Sequence, residues 1–125
     1  MRKRLIIVDD EPDILNLCST IIERSFDLDI ITASSVRLAQ QIMNEQTIDL
    51  AIFDLRLPDG TGFELVQHLF ELNPSATVLM ITAHGQCKEK QKAAELGVSK
   101  VLSKPFASGE LLNELRHMLN GYVNG

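Results

Sequence analysis

Five polar residues, Asp9, Asp10, Asp54, Thr82 and Lys104, stand at or just past the C-terminal ends of apolar runs. Leu5-Ile6-Ile7-Val8 leads into Asp9-Asp10, and Leu50-Ala51-Ile52-Phe53 leads into Asp54. Val78-Leu79-Met80-Ile81 leads into Thr82, and Val101-Leu102-Ser103 leads into Lys104-Pro105. As parallel strands of one sheet, these runs would bring all five side chains to the edge where open α/β sheets bind ligands. Carboxylates crowded there repel one another and resist ionising unless a cation joins them. A hard divalent ion held by a few oxygens and water supplies that cation, and Mg2+ is usually held in this way. A positioned Asp carboxylate is also a competent phosphoryl acceptor. A metal and the Lys104 ammonium would neutralise charge on the transferring oxygens, and the Thr82 hydroxyl can donate one hydrogen bond to the arriving group. The five residues together describe a metal and phosphoryl site.

The elements that must position them alternate along the chain, as in α/β architecture. The first, third and fourth runs are continuously apolar, as strands buried on both faces are. Leu28-Asp29-Ile30-Ile31-Thr32-Ala33 carries an acid in mid-run and reads as an edge strand, as does the short run at Val101, flanked by Lys100 and Ser103. Pro12 suits a first helical position and opens a helix expected to reach about Arg24. A second helix is expected over Ser35 to Gln46. Thr61-Gly62-Phe63-Glu64 has the form of a capping box and begins a third, with Phe63, Val66, Leu69 and Phe70 on its apolar face. The fourth, Gln86 to Leu96, has few large apolar anchors; helices are held chiefly by packing, so it should be the loosest element and the freest to shift. The last, from about Glu110, should bury Leu111, Leu112, Leu115, Met118 and Leu119. Four of the five strands deliver a polar residue to the site edge, whereas the second ends in Ala33. An order of 2-1-3-4-5 puts the four contributors side by side, with the switch point where Asp9, Asp10 and Asp54 meet. The expected fold is an α/β, flavodoxin-like three-layer sandwich, a five-stranded parallel sheet with five helices.

At 125 residues the chain has room for one core. Its net charge of −5 argues against this chain gripping nucleic acid or an anionic membrane by itself. No apolar run approaches a membrane span, and Met1-Arg2-Lys3-Arg4 is followed by too short an apolar stretch for a signal peptide. Cys18 and Cys87 form no metal or redox spacing. Cys18 is expected in the core on a face with Ile14, Leu17, Ile21 and Ile22, and Cys87 at the start of a polar helix. Both suit a reducing, cytoplasmic setting. His68 and His117 read as surface residues, while His84, two residues past Thr82, should lie at the rim of the site.

Asp9-Asp10, Asp54-Leu55-Arg56-Leu57-Pro58-Asp59-Gly60-Thr61-Gly62, Thr82-Ala83 and Lys104-Pro105-Phe106 resemble the receiver domain of bacterial two-component response regulators. Single pieces of this pattern are common, but their joint order and placement at strand ends are specific. The resemblance implies a receiver domain over residues 1–120, with 121–125 a C-terminal tail or the start of a linker. It implies that Asp54 takes a phosphoryl group from the phosphohistidine of a sensor histidine kinase or phosphotransfer protein. The reaction would be Mg2+-dependent, and the chain would catalyse only its own phosphorylation and dephosphorylation. Asp10, Asp54 and the backbone carbonyl of Arg56 would bind Mg2+ directly, with Asp9 acting largely through water. Lys104, in a cis bond to Pro105, would pair with the phosphoryl group, and Thr82 would be the switch hydroxyl. The face made by the fourth helix, fifth strand and last helix would meet an output partner or effector domain, or a second copy on phosphorylation.

The chain departs from that pattern at Val101, where receivers commonly carry a Tyr or Phe whose rotation accompanies phosphorylation. A β-branched side chain cannot make that swing, so relay would rest on Thr82 and the fourth helix, with Gly85 lending the connecting loop its freedom. A degenerate receiver signalling by contact alone is the competing reading. A dehalogenase-type phosphatase would want Asp where Glu11 stands. A flavodoxin-like electron carrier would not place Asp9-Asp10-Glu11 against a flavin phosphate.

Overall fold

A computed structural model describes residues 2–83 and 86–123; His84 and Gly85, to which the sequence assigns a rim position and loop freedom, lie outside the described residues. Five parallel strands form one sheet: β1 (Arg4–Val8), β2 (Asp29–Ala33), β3 (Leu50–Asp54), β6 (Thr77–Thr82) and β7 (Lys100–Ser103). Their order is β2-β1-β3-β6-β7. Counting only these strands, this is the expected 2-1-3-4-5. The two intervening elements, β4 (Arg56–Leu57) and β5 (Gly60–Thr61), form a separate antiparallel ribbon that the sequence reading did not anticipate. Two residues per strand leave no periodicity to detect.

Five helices flank the sheet: α1 (Pro12–Ser25), α2 (Val36–Glu45), α3 (Gly62–Leu72), α4 (Cys87–Leu96) and α5 (Ser108–Val123). Successive side chains of a strand point to opposite faces, so each apolar run feeds two cores. Leu5, Ile7, Leu50, Ile52, Leu79 and Ile81 pack with Cys18 and Ile22 of α1 and Leu111 and Leu115 of α5. Ile6, Val8, Ala51, Phe53, Val78 and Met80 pack with α2, α3 and Ala93 of α4. This double burial is why these runs carry no polar alternation.

Helix ends follow local chemistry. Ser35 caps α2 by accepting from the Leu38 N–H at 3.1 Å, and the Glu64 carboxylate accepts from the Thr61 N–H at 3.1 Å at the start of α3. Gly97, at φ 98°, ends α4 in the left-handed region that favours glycine. On α1, Leu17 departs from expectation. It is 47% exposed, because the buried stripe runs through Cys18 and Ile22 and Leu17 lies one helical step to its side. As expected, α4 is thinly held; Ala93 is its only buried residue among those described. α5 continues to Val123, into the segment expected as a tail.

Gly62 sets the approach of α3 to the sheet edge. A Cβ there would lie 2.3 Å from the Asp54 carbonyl oxygen and 2.8 Å from Met80 Cε. The backbone at the end of β3 cannot yield as a side chain would, so Gly62→Ala is expected to cost about 3 kcal/mol, at the upper end for overpacking. Gly109→Ala, where a Cβ meets nothing within 4 Å, should be neutral or slightly stabilising. Urea denaturation of the pair checks this, and equal midpoints would contradict it.

Candidate functional site

The strand register builds the site. Asp9 follows β1, and its N–H extends the ladder to the Ala33 carbonyl at 3.1 Å. Asp54 ends β3 opposite Ile81, and Thr82 ends β6 opposite Ser103. The Lys104 N–H donates to the Thr82 carbonyl at 2.9 Å, and the Lys104–Pro105 bond is cis, as expected. All five predicted side chains therefore issue from one edge of the sheet.

At its centre the Lys104 ammonium donates to Asp9 Oδ2 at 2.8 Å, Glu11 Oε1 at 3.2 Å and Asp54 Oδ2 at 3.3 Å. The Lys104 side chain is only 12% exposed, against 3% for Asp9 and 8% for Asp54. Burial, reinforced by the Asp9 charge, pushes the Asp54 carboxyl above its usual range; the Lys104 charge and its hydrogen bond oppose the shift. Burial works against the Lys104 charge as well. Its hydrogen bond to Asp9 and the charges of Asp54 and Asp9 outweigh this and hold the ammonium above its ordinary pKa. Cys18 lies close enough to feel both. Burial first, then Asp9, push its thiol up to about 11, so it stays protonated at neutral pH.

Asp9, Asp10 and Asp54 each offer a carboxylate oxygen, all within 4.8 Å of one another. Asp9 and Asp54 are buried and Asp10 is exposed, so the cluster has an open side on solvent. An all-oxygen, anionic donor set of this size fits a hard divalent cation. Thr82 is buried at 1% exposure beside this edge. Arg56 starts the ribbon, its side chain exposed.

The sequence reading missed Glu11 as a contact of Lys104. The signal was a third acid in a row at the end of β1, and only the fold shows that it reaches across 93 residues. His68 bonds Asn44 Oδ1 at 2.8 Å and so ties α3 to α2, while His117 is exposed as expected.

Residues 5–116 match the response regulator receiver domain family. The chain is 38% identical over 110 residues to the response regulator protein PilR of Pseudomonas aeruginosa, covering 88% of this chain but only 24% of PilR. A receiver domain protein (CheY-like) from Methanospirillum hungatei JF-1 superposes with a TM-score of 0.91 at 25% identity over the whole of both chains. The beryllofluoride-activated NtrC4 receiver domain dimer gives a TM-score of 0.88 at 30% identity, covering 95% of this chain and 98% of that one. With its sheet order, its acidic cluster and Lys104 at one strand edge, this chain belongs to the response regulator receiver domain family.

Proposed function

We propose that Asp54 is the phosphoacceptor of this receiver domain and that Mg2+ is the metal it works with. The observation that carries this reading is the buried Asp54 carboxylate held within hydrogen-bonding reach of Lys104 beside the Asp9–Asp10 pair. The Asp54 oxygen would form the new P–O bond as the P–N bond of a phosphohistidine breaks, and the imidazole would leave with a proton from solvent. Asp10, Asp54 and the Arg56 carbonyl would hold the ion directly, with Asp9 acting through water. Bound there, Mg2+ would supply charge neutralisation to the transferring oxygens. Lys104 would share that task, and Thr82 would donate to the phosphoryl group.

The donor would be a sensor histidine kinase or a phosphotransfer protein, and the setting the cytoplasm. No helix among the described residues is long and apolar enough to cross a membrane. The chain would turn over no substrate other than its own aspartyl phosphate. Output would pass through the face of α4, β7 and α5 to a partner, an effector domain or a second copy. The thin anchoring of α4 supports this, because a small differential contact can shift a helix that buries one alanine. Val101 on β7 is half-buried against the core, with no aromatic ring there to rotate.

Incubation with acetyl phosphate and Mg2+ should add one phosphoryl mass, mapped by peptide analysis to Asp54 and absent with chelator. Label on another residue, or label that survives chelation, would sink the assignment. Asp10→Ala should weaken Mg2+ binding by about tenfold or more, a loss that even outer-shell changes reach. Asp9→Ala should weaken it less, since Asp9 is engaged by Lys104 at 2.8 Å. Calorimetric titration with MgCl2 ranks the two, and equal affinities in wild type and Asp10→Ala would count against the site.

A further inference from the structure

The ribbon that follows Asp54 is wedged between two helix starts. At its turn, Asp59 Oδ1 accepts from the Val36 N–H at 2.8 Å and Asp59 Oδ2 from the Arg37 N–H at 3.0 Å. These are the first two residues of α2, whose opening N–H groups have no partner inside the helix. Gly60 is pressed between the same two helices; a Cβ there would lie 2.7 Å from Glu64 Oε1 and 3.1 Å from Val36 Cγ2. Thr61 is fixed to α3 through the Glu64 carboxylate. The ribbon's other end reaches the site. Arg56 pairs with Thr61 across the ribbon, and its backbone lies two residues past Asp54.

From these contacts we propose that Asp59 is a positioning residue for the phosphoryl site: by tying the ribbon to α2 through both carboxylate oxygens, it fixes the Arg56 backbone and so places the Arg56 carbonyl, which would hold the ion, beside the acceptor Asp54. The inference rests on the reading of Asp54 as phosphoacceptor at a Mg2+ site. Asp59 touches no reacting atom. Two bonds to adjacent N–H groups prevent the turn from pivoting, which one bond would not. Those donors also hold the Asp59 carboxyl below its usual pKa, so it is a charged acceptor at neutral pH. Without it, the ribbon is hydrogen-bonded to the helices through Thr61 and Glu64 on the α3 side. Groups that orient a metal ligand from behind are typically worth about 10–100-fold in metal affinity.

The test is MgCl2 titration by calorimetry on the wild type, Asp59→Ala, Asp59→Asn and Ser35→Ala. Ser35→Ala removes another cap from the same helix without touching the ribbon, so it reports loss of α2 stability alone. Asp59→Ala should weaken Mg2+ by about tenfold or more. Asp59→Asn should fall in between, because its amide oxygen can serve only part of the pair. Ser35→Ala should bind Mg2+ as the wild type does, although its melting temperature falls along with that of Asp59→Ala. Wild-type affinity in Asp59→Ala, or an equal loss in Ser35→Ala, would overturn the positioning role while leaving the site reading intact. If Asp59→Ala fails to fold, Asp59→Asn decides against the same control. A wild type that binds no Mg2+ strikes down the site reading, and this inference with it.

Discussion

Asp54→Asn should take up no phosphoryl group from acetyl phosphate, yet in metal-free buffer it should melt at a higher temperature than the wild type. The first half follows from chemistry, since an amide oxygen is a poor nucleophile where a carboxylate is a good one. The second follows from burial. Asp54 is 7% exposed beside the buried Asp9, and its pKa is raised above the ordinary 3.8. A carboxyl raised in the folded state stabilises most where it is protonated; that contribution is complete below 3.8 and lost as pH rises through the folded value. At neutral pH the metal-free protein therefore carries a penalty that Asn lacks. The gain should be on the order of 1 kcal/mol, or about 4 °C in a domain of this size. It should grow as pH rises from below 3.8 toward neutrality and close when Mg2+ saturates the wild type. Melting scans across pH, with and without Mg2+, read both trends. A neutral-pH, metal-free Asp54→Asn less stable than the wild type would refute the electrostatic account.

Lys104→Ala should produce the largest loss of stability at the site, about 3–5 kcal/mol, because removing one partner strands the others as buried charges. Asp9 and Asp54 would lie unpaired behind 3% and 8% side-chain exposure. The ammonium's folded pKa lies above its ordinary 10.5, so its contribution is intact below 10.5 and is lost only as pH rises through the folded value. The gap between wild type and variant should hold from neutrality to strong alkali, and should narrow in acid, where the stranded Asp54 carboxylate takes up a proton. Adding Asp54→Asn to Lys104→Ala should recover more stability than Asp54→Asn gains alone, the signature of coupled groups. Mg2+ should raise the melting temperature of Lys104→Ala more than that of the wild type. Chemical denaturation at neutral pH supplies the decisive number, and a loss under about 1 kcal/mol, the range of an exposed pair, would show that Lys104 is not a structural cation here.

Much of this was legible in the sequence, for a physical reason. Strands buried on both faces must be apolar throughout, so Leu5–Val8, Leu50–Phe53 and Val78–Ile81 marked themselves, and the polar residue ending each run marked the edge. Helix boundaries fell within a residue or two where a capping residue such as Ser35 spoke for them. What escaped were contacts between residues far apart in the chain. Glu11 on Lys104 and Asp59 on Val36 and Arg37 are set by how the loops fold back, which no local pattern records. Glu114 escaped for the converse reason. It is a charged residue at 8% exposure, placed on the inner side of α5 and paired with Lys100 at 3.2 Å. A periodicity argument assigns such a residue to solvent, since it weighs residue type and not the partner that makes burial tolerable.

An ammonium has three N–H groups, and those of Lys104 are already taken by Asp9, Glu11 and Asp54. Any phosphoryl oxygen that reaches Lys104 therefore arrives by exchange. The contact easiest to surrender is Glu11, whose side chain is 60% exposed and can return to water at little cost. The strength of any grip Lys104 takes on a phosphoryl group would then be a difference between two anions competing for one proton donor, and the weaker competitor comes tethered two residues from Asp9. On the proposed function, Glu11 would thus act as a built-in reference ligand, one whose strength could be altered without touching either Asp54 or Lys104.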